Sequence, residues 1–207
     1  MRQKLFVGLI ICLFCSQLIK AQGIDVRAGL NLSTYLNAEG SRIRPGANLG
    51  VLGDIKLSRY FHLQPGLLLN GRGANTKVYS GIKGSVTGYW LDIPLYASFR
   101  IPCATNTVLK INAGPYYGVG LFGKTTVKMD GISVSVNTFG KPDNDYIRGE
   151  VATRQDLGVA LELGVEYGQY LASLGYMQGC TDNLNAEGTK NFLLSLSVGY
   201  KFRFGKK

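Results

Sequence analysis

The chain has 207 residues, 28 of them glycine, 12 tyrosine and 9 phenylalanine, with 23 basic residues against 13 acidic ones. That length suits one domain, and no internal repeat or low-complexity tract divides it. The basic residues are spread without a dense cluster, which argues against nucleic acid as a partner.

At the N-terminus, Met1-Arg-Gln-Lys4 is cationic, Leu5 through Cys15 is apolar apart from Gly8, and Lys20-Ala-Gln-Gly23 offers Ala21 as the small residue before a cleavage point. This reads as a secretory signal peptide over 1–21, leaving one domain over 22–207. The apolar run is shorter than the ~20 residues a spanning helix needs. Cys12 and Cys15 leave with the signal and lack the pattern of a lipid-anchored leader. Arg2, Lys4 and Lys20 leave too while all acids stay, so the mature chain carries a net charge of about +7.

From there one pattern recurs. Ile24 to Tyr35 sets Ile24, Val26, Ala28, Leu30 and Leu32 against Asp25, Arg27, Gly29, Asn31 and Ser33. Asn48 to Leu57 and Phe61 to Gly71 alternate in the same way, with Asp54, Lys56, His62 and Gln64 on the polar side. Tyr89 to Ile101 puts Asp92, Ser98 and Arg100 opposite Leu91, Ile93 and Leu95, although Trp90 and Tyr96 share the polar parity. Leu109 to Leu121, Asp156 to Tyr167 and Tyr170 to Met177 follow. The final run, Asn191 to Phe204, sorts Phe192, Leu194, Leu196, Val198, Tyr200, Phe202 and Phe204 onto one face, with Leu193 the exception on the other. A period of two marks strands, not helices. About eight such segments predict an all-β fold: an eight-stranded antiparallel up-and-down transmembrane β-barrel.

The connections alternate in length. Ser58-Arg59, Pro102 to Thr107 and Gly168-Gln169 are short; Leu36 to Gly46, Arg72 to Gly88, Gly123 to Arg154 and Gln178 to Lys190 are long. Outer-membrane barrels keep short turns in the periplasm and longer loops outside, which orients both termini to the periplasm. The third long connection holds two alternating runs, Thr125 to Met129 and Ile132 to Val136, joined by Asp130-Gly131, a strong hairpin signal.

Parity alone does not say which face meets lipid, but glycine does. Gly29, Gly50, Gly66, Gly114, Gly118, Gly120, Gly158, Gly164, Gly175 and Gly199 all share the polar face, where a narrow lumen needs small residues. The predicted interior charge network comprises Asp25, Arg27, Asp54, Lys56, Asp92, Arg100, Lys110, Glu162, Glu166, Lys201 and Arg203, whose opposite signs can pair. Tyr89, Tyr167, Tyr200, Phe202 and Phe204 are the predicted membrane-interface aromatics.

Ile24-Asp-Val-Arg-Ala-Gly-Leu-Asn-Leu-Ser33, Trp90-Leu-Asp-Ile-Pro-Leu-Tyr96, Gly114-Pro-Tyr-Tyr-Gly118 and Ser197-Val-Gly-Tyr-Lys-Phe202 resemble the PorT-like outer-membrane β-barrel family across essentially the whole mature chain. The resemblance implies an eight-stranded barrel in the outer membrane of a Gram-negative cell. It does not carry a secretion function with it. Gly205-Lys-Lys207 departs from the aromatic terminus at which such barrels commonly stop.

Chemistry finds little support. Gly118-Val-Gly-Leu-Phe-Gly-Lys-Thr125 matches a phosphate-binding loop, but that mechanism needs a helix to follow, and Thr126 to Met129 is strand-like. His62 is the single histidine, too few for a multi-histidine metal site, and no serine is singled out as its nucleophile. No cofactor and no metal are expected. Cys103 falls in a short turn and Cys180 in a long loop, a barrel's height apart, so no disulfide is expected between them.

The expected function is therefore that of a non-enzymatic barrel plugged by its own side chains, one that supports envelope integrity or displays a binding surface. Arg42, Arg44, Lys77, Lys83, Lys124, Lys128, Lys141, Arg148 and Arg154 enrich the outside loops in charge suited to lipopolysaccharide phosphates. Tyr35, Tyr79, Phe139 and Tyr146 are candidates for a protein-binding patch. Expected partners are outer-membrane lipid and lipopolysaccharide, the barrel assembly machinery with periplasmic chaperones, and an extracellular or envelope protein. A small gated pore or an accessory component of protein secretion is the alternative.

Overall fold

The computed structural model describes residues 22–38, 40–77, 83–129, 132–139, 152–182 and 188–204. The predicted signal peptide lies outside them, as do the Asp130-Gly131 turn, Tyr79, Lys141, Tyr146, Arg148 and the terminal Gly205 to Lys207.

The described residues form ten strands: β1 (Gly23–Leu36), β2 (Ser41–Arg42), β3 (Arg44–Lys56), β4 (Phe61–Lys77), β5 (Lys83–Ala104), β6 (Thr107–Met129), β7 (Ile132–Asn137), β8 (Gln155–Tyr167), β9 (Tyr170–Gly179) and β10 (Lys190–Arg203). Eight of these pair antiparallel with their neighbours in the order β4-β3-β1-β10-β9-β8-β6-β5, and β5 returns to β4 to close the ring. The seam between the first and last strands runs from Gly23 opposite Arg203 to Leu36 opposite Lys190. Closure leaves no lateral edge among these eight strands, which removes the unpaired backbone that an open sheet would expose.

Alternation fixes which face each residue takes. β8 is the cleanest case, alternating exposed and buried residues along its whole length. Leu30, Leu163, Leu196 and Val198 stand outward and exposed, while the inward set is predominantly polar or charged. Trp90, Tyr96 and Leu193, three large apolar residues on the polar parity, are buried inside. A continuous exposed apolar belt around a polar lumen is the reverse of a soluble barrel and suits a lipid solvent.

One end carries the short turns. Gly168 takes the left-handed conformation (φ 60°) in the two-residue link between Tyr167 and Tyr170, which are paired to each other. Ala104 pairs with Thr107, and Leu57 and Ser58 both donate backbone bonds to the carbonyl of Phe61. Gly23 and Arg203 lie at this turn end. The opposite, loop end shortens two predicted loops, Arg72 to Gly88 and Gly123 to Arg154. Residues 72–77 continue β4, 83–88 begin β5 and pair with them rung by rung, and 123–129 continue β6 against β5. β7 then pairs with β6 from Met129–Ile132 to Lys124–Asn137, as the predicted hairpin requires. A sheet beyond the bilayer needs no apolar face, so hydrophobic alternation fades while the hydrogen-bond ladder continues. β5 and β6, at 22 and 23 residues, far exceed the ~9–11 that cross a bilayer.

Candidate functional site

The lumen is filled in layers, each tying distant strands together. At the turn end, Lys110 lies 3.1 Å from both Asp25 and Glu166, and Lys201 lies 3.1 Å from Glu166 and also contacts Asp54. Arg100 reaches Asp54 at 3.0 Å and Glu166 at 3.3 Å. His62 Nδ1 is 2.7 Å from Asp54. Three cations thus answer three carboxylates, and with His62 they come from every barrel strand except β9. Each ion buried alone would cost several kcal/mol, and the multiple partners offset that cost.

Next comes an Arg27–Glu162 pair, with Asn112 donating to Glu162 at 2.8 Å and to Gln64 at 3.0 Å. Leu52, Tyr96, Tyr116, Ala160, Met177 and Leu193 pack as an apolar cluster. Nearer the loop end, Arg72 contacts Asp92 and lies 2.9 Å from Asp156. Tyr116 and Asn191 donate to Asp156 at 2.8 and 2.9 Å, and Asn70 donates to Asp92 at 2.6 Å. The Arg72 guanidinium also lies 5.6 Å from the Trp90 ring and 5.3 Å from that of Tyr116.

An aromatic roof covers this layer. Phe139 meets Trp90 edge-on with ring centroids 5.2 Å apart, Ala152 completes the cluster, and Arg154 lies 5.8 Å from the Phe139 ring. Glycine makes the roof possible: a Cβ on Gly120 would sit 2.6 Å from Phe139 Cζ, and one on Gly88 would sit 2.9 Å from Trp90 Nε1.

Of the predicted interior charges, Asp25, Arg27, Asp54, Asp92, Arg100, Lys110, Glu162, Glu166 and Lys201 are enclosed. Lys56 and Arg203 share their parity but stand at strand ends, exposed at the turn-end mouth. Arg72, placed in a loop by the sequence reading, and Asp156 form the centre of the loop-end layer. Continued parity from His62 along β4 is the signal that finds Arg72. Two residues of the predicted protein-binding patch are corrected: Tyr35 and Phe139 are buried, turned inward where apolar rings escape water. Among the interface aromatics, Tyr89 stacks on Phe122 toward the loop end, while Tyr170, Tyr200 and Phe202 form a chain of ring contacts at the turn end near Tyr167 and Phe204.

Among the described residues, one hollow lies at the turn end and another toward the loop end. At the turn end a vestibule of about 600 Å³ is bounded by Lys56, Arg59, His62, Arg100, Lys201 and Arg203 with Asp54 and Glu166. Toward the loop end, a groove of about 340 Å³ lies between Arg42 and Lys128, with Asn75, Thr76, Ser85 and Thr126 along it. Cys103 and Cys180 lie near opposite ends, both exposed and unbridged.

His62 hydrogen-bonds Asp54, and Ser98 lies across the strand pair from it. Yet Ser98 is fully buried and its Oγ has no hydrogen-bond partner among the described residues. The segment resembling a phosphate loop runs straight through β6, and a Cβ on Gly118 would lie 2.6 Å from an Asp92 oxygen. A carboxylate there repels phosphate.

The chain is similar to two solved structures, the first of which shares its fold. OprG from Pseudomonas aeruginosa is 17% identical, with 89% of this chain and 97% of that one covered at a TM-score of 0.50. Ail, the attachment invasion locus protein of Yersinia pestis, is 15% identical over 88% of this chain and 99% of that one, with a TM-score of 0.46. No curated protein matches the sequence. The outer membrane protein beta-barrel domain family matches residues 16–185. With that match spanning most of its length, the closed eight-stranded chain belongs to the outer membrane protein beta-barrel domain family.

Proposed function

We propose that this protein is a non-enzymatic integral barrel of the outer membrane, plugged against free diffusion, that works through its loop-end surface and supports envelope integrity. Within its family it sits with the PorT-like barrels, on the four segments quoted above, and its loop end faces outward. The observation that carries the reading is the stacked obstruction of the lumen: Arg72 between Asp92 and Asp156, beneath Trp90 and Phe139. Ions entering from the loop end meet rings and paired charges instead of an aqueous path.

The groove between Arg42 and Lys128 supplies the binding surface. Its two cations and the amide and hydroxyl groups along it suit the phosphates and sugars of lipopolysaccharide. Single-channel recording with purified protein in planar bilayers tests the plug: the expected trace shows no steady conductance. A stable open level overturns the plugged reading and favours the small gated pore. Binding to lipopolysaccharide micelles tests the surface, with Arg42→Gln/Lys128→Gln expected to weaken it; unchanged binding moves the interaction elsewhere.

A further inference from the structure

The turn-end vestibule has a charge imbalance that the plug does not use. Its acids are already engaged: Asp54 meets Arg100, Lys201 and His62, and Glu166 meets Arg100, Lys110 and Lys201. The rim cations are left over. Among the described residues, Lys56 contacts no carboxylate, Arg59 contacts only the Tyr60 ring at 5.4 Å, and Arg203 spends one nitrogen on the Gly168 carbonyl at 2.6 Å. Below them Arg100 is more than nine-tenths buried, and its Nε has no hydrogen-bond partner there. A hollow of about 600 Å³ falls within the range of small-ligand sites.

We infer that this vestibule is an anion site for a phosphoryl group. Lys56, Arg59 and Arg203 surround the opening with three positive charges, which favours a multiply charged oxyanion over a lone carboxylate. Their arginine forks match adjacent phosphate oxygens, and the hollow's depth admits the organic group that carries the phosphate. Phe204 lines the same mouth, beside the turn-end aromatics that mark headgroup level. The phosphoryl group therefore has two accessible sources: a phospholipid headgroup leaning in from the adjoining leaflet, or a soluble phosphate ester.

The test uses full-length mature protein with two variants, Lys56→Gln/Arg59→Gln and, as the opposite-end control, Arg42→Gln/Lys128→Gln. Heat-modifiable gel mobility confirms that each is a closed barrel, and Arg203→Gln serves as a second probe of the same mouth. Inorganic pyrophosphate is titrated calorimetrically in nonionic detergent at low salt. Phosphatidylglycerol retained from mixed nanodiscs is measured by native mass spectrometry. Pyrophosphate binding weakened about tenfold or more by the rim variants, but not by the control, supports the site and a soluble source. Phosphatidylglycerol retention lost only in the rim variants supports the site and a lipid source. If both probes treat wild type and rim variants alike, the inference is overturned, whatever the loop-end groove binds.

Discussion

At the turn end of the lumen three cations answer three carboxylates and a vestibule opens beyond them; at the loop end one arginine serves two aspartates under a roof of aromatic rings. The first arrangement is redundant. Losing one partner leaves the others to share the charge. The second is concentrated: among the described residues one cation, Arg72, meets both Asp92 and Asp156 and also lies against two rings. The contrast teaches that two layers of one narrow lumen can balance buried charge in opposite ways, by sharing it among several partners or by concentrating it on one.

The most severe way to break this comparison is Arg72→Met. Removing the one cation that both Asp92 and Asp156 meet among the described residues carries an expected loss of about 3–5 kcal/mol in urea unfolding from lipid vesicles, followed by the fluorescence of Trp90, the chain's one tryptophan. Lys201→Met should cost less, about 1.5–3 kcal/mol, because Lys110 and Arg100 still hold Glu166 and Arg100 still holds Asp54. If Lys201→Met proves the costlier of the two, the redundancy argument fails. Phe139→Ala sharpens the roof: the lost ring pair is worth about 0.5–1.5 kcal/mol beyond burial, and acrylamide should then quench Trp90 more efficiently. The smallest effect belongs to the vestibule rim, where Lys56→Gln should leave stability within about 0.5 kcal/mol of wild type by the same unfolding assay.

Much of this architecture was legible in the chain. Period-two alternation from Asn191 to Phe204 and along β8 places strands and faces, and the glycines gathered on one parity point inward. Trp90, Tyr96 and Leu193, apolar residues on that parity, fill the lumen between its charged layers. What alternation could not mark was where strands end beyond the apolar belt. Residues 72–77 and 83–88 pair through a run rich in glycine, asparagine, threonine and lysine, where neither face is apolar and a strand therefore looks like a loop. Arg72 is hidden for that reason, and Phe139, just beyond β7, gives no parity signal that it turns in against Trp90. Lys56 and Arg203 show the converse limit: parity assigns a side, but depth along the strand decides whether water reaches it.

The seam of the barrel brings Gly23 beside Arg203, so the start of the first strand and the end of the last lie about 5 Å apart across one rung. Gln22 and Phe204 extend that rung with a further backbone bond of 2.8 Å. Every barrel strand has a partner on each side, and no place on the ring is first or last. The order in which the ribosome delivers the strands is accordingly a matter of bookkeeping: a circular permutant, joined at the turn end by a short linker and reopened in a loop, retains every neighbour the present chain has.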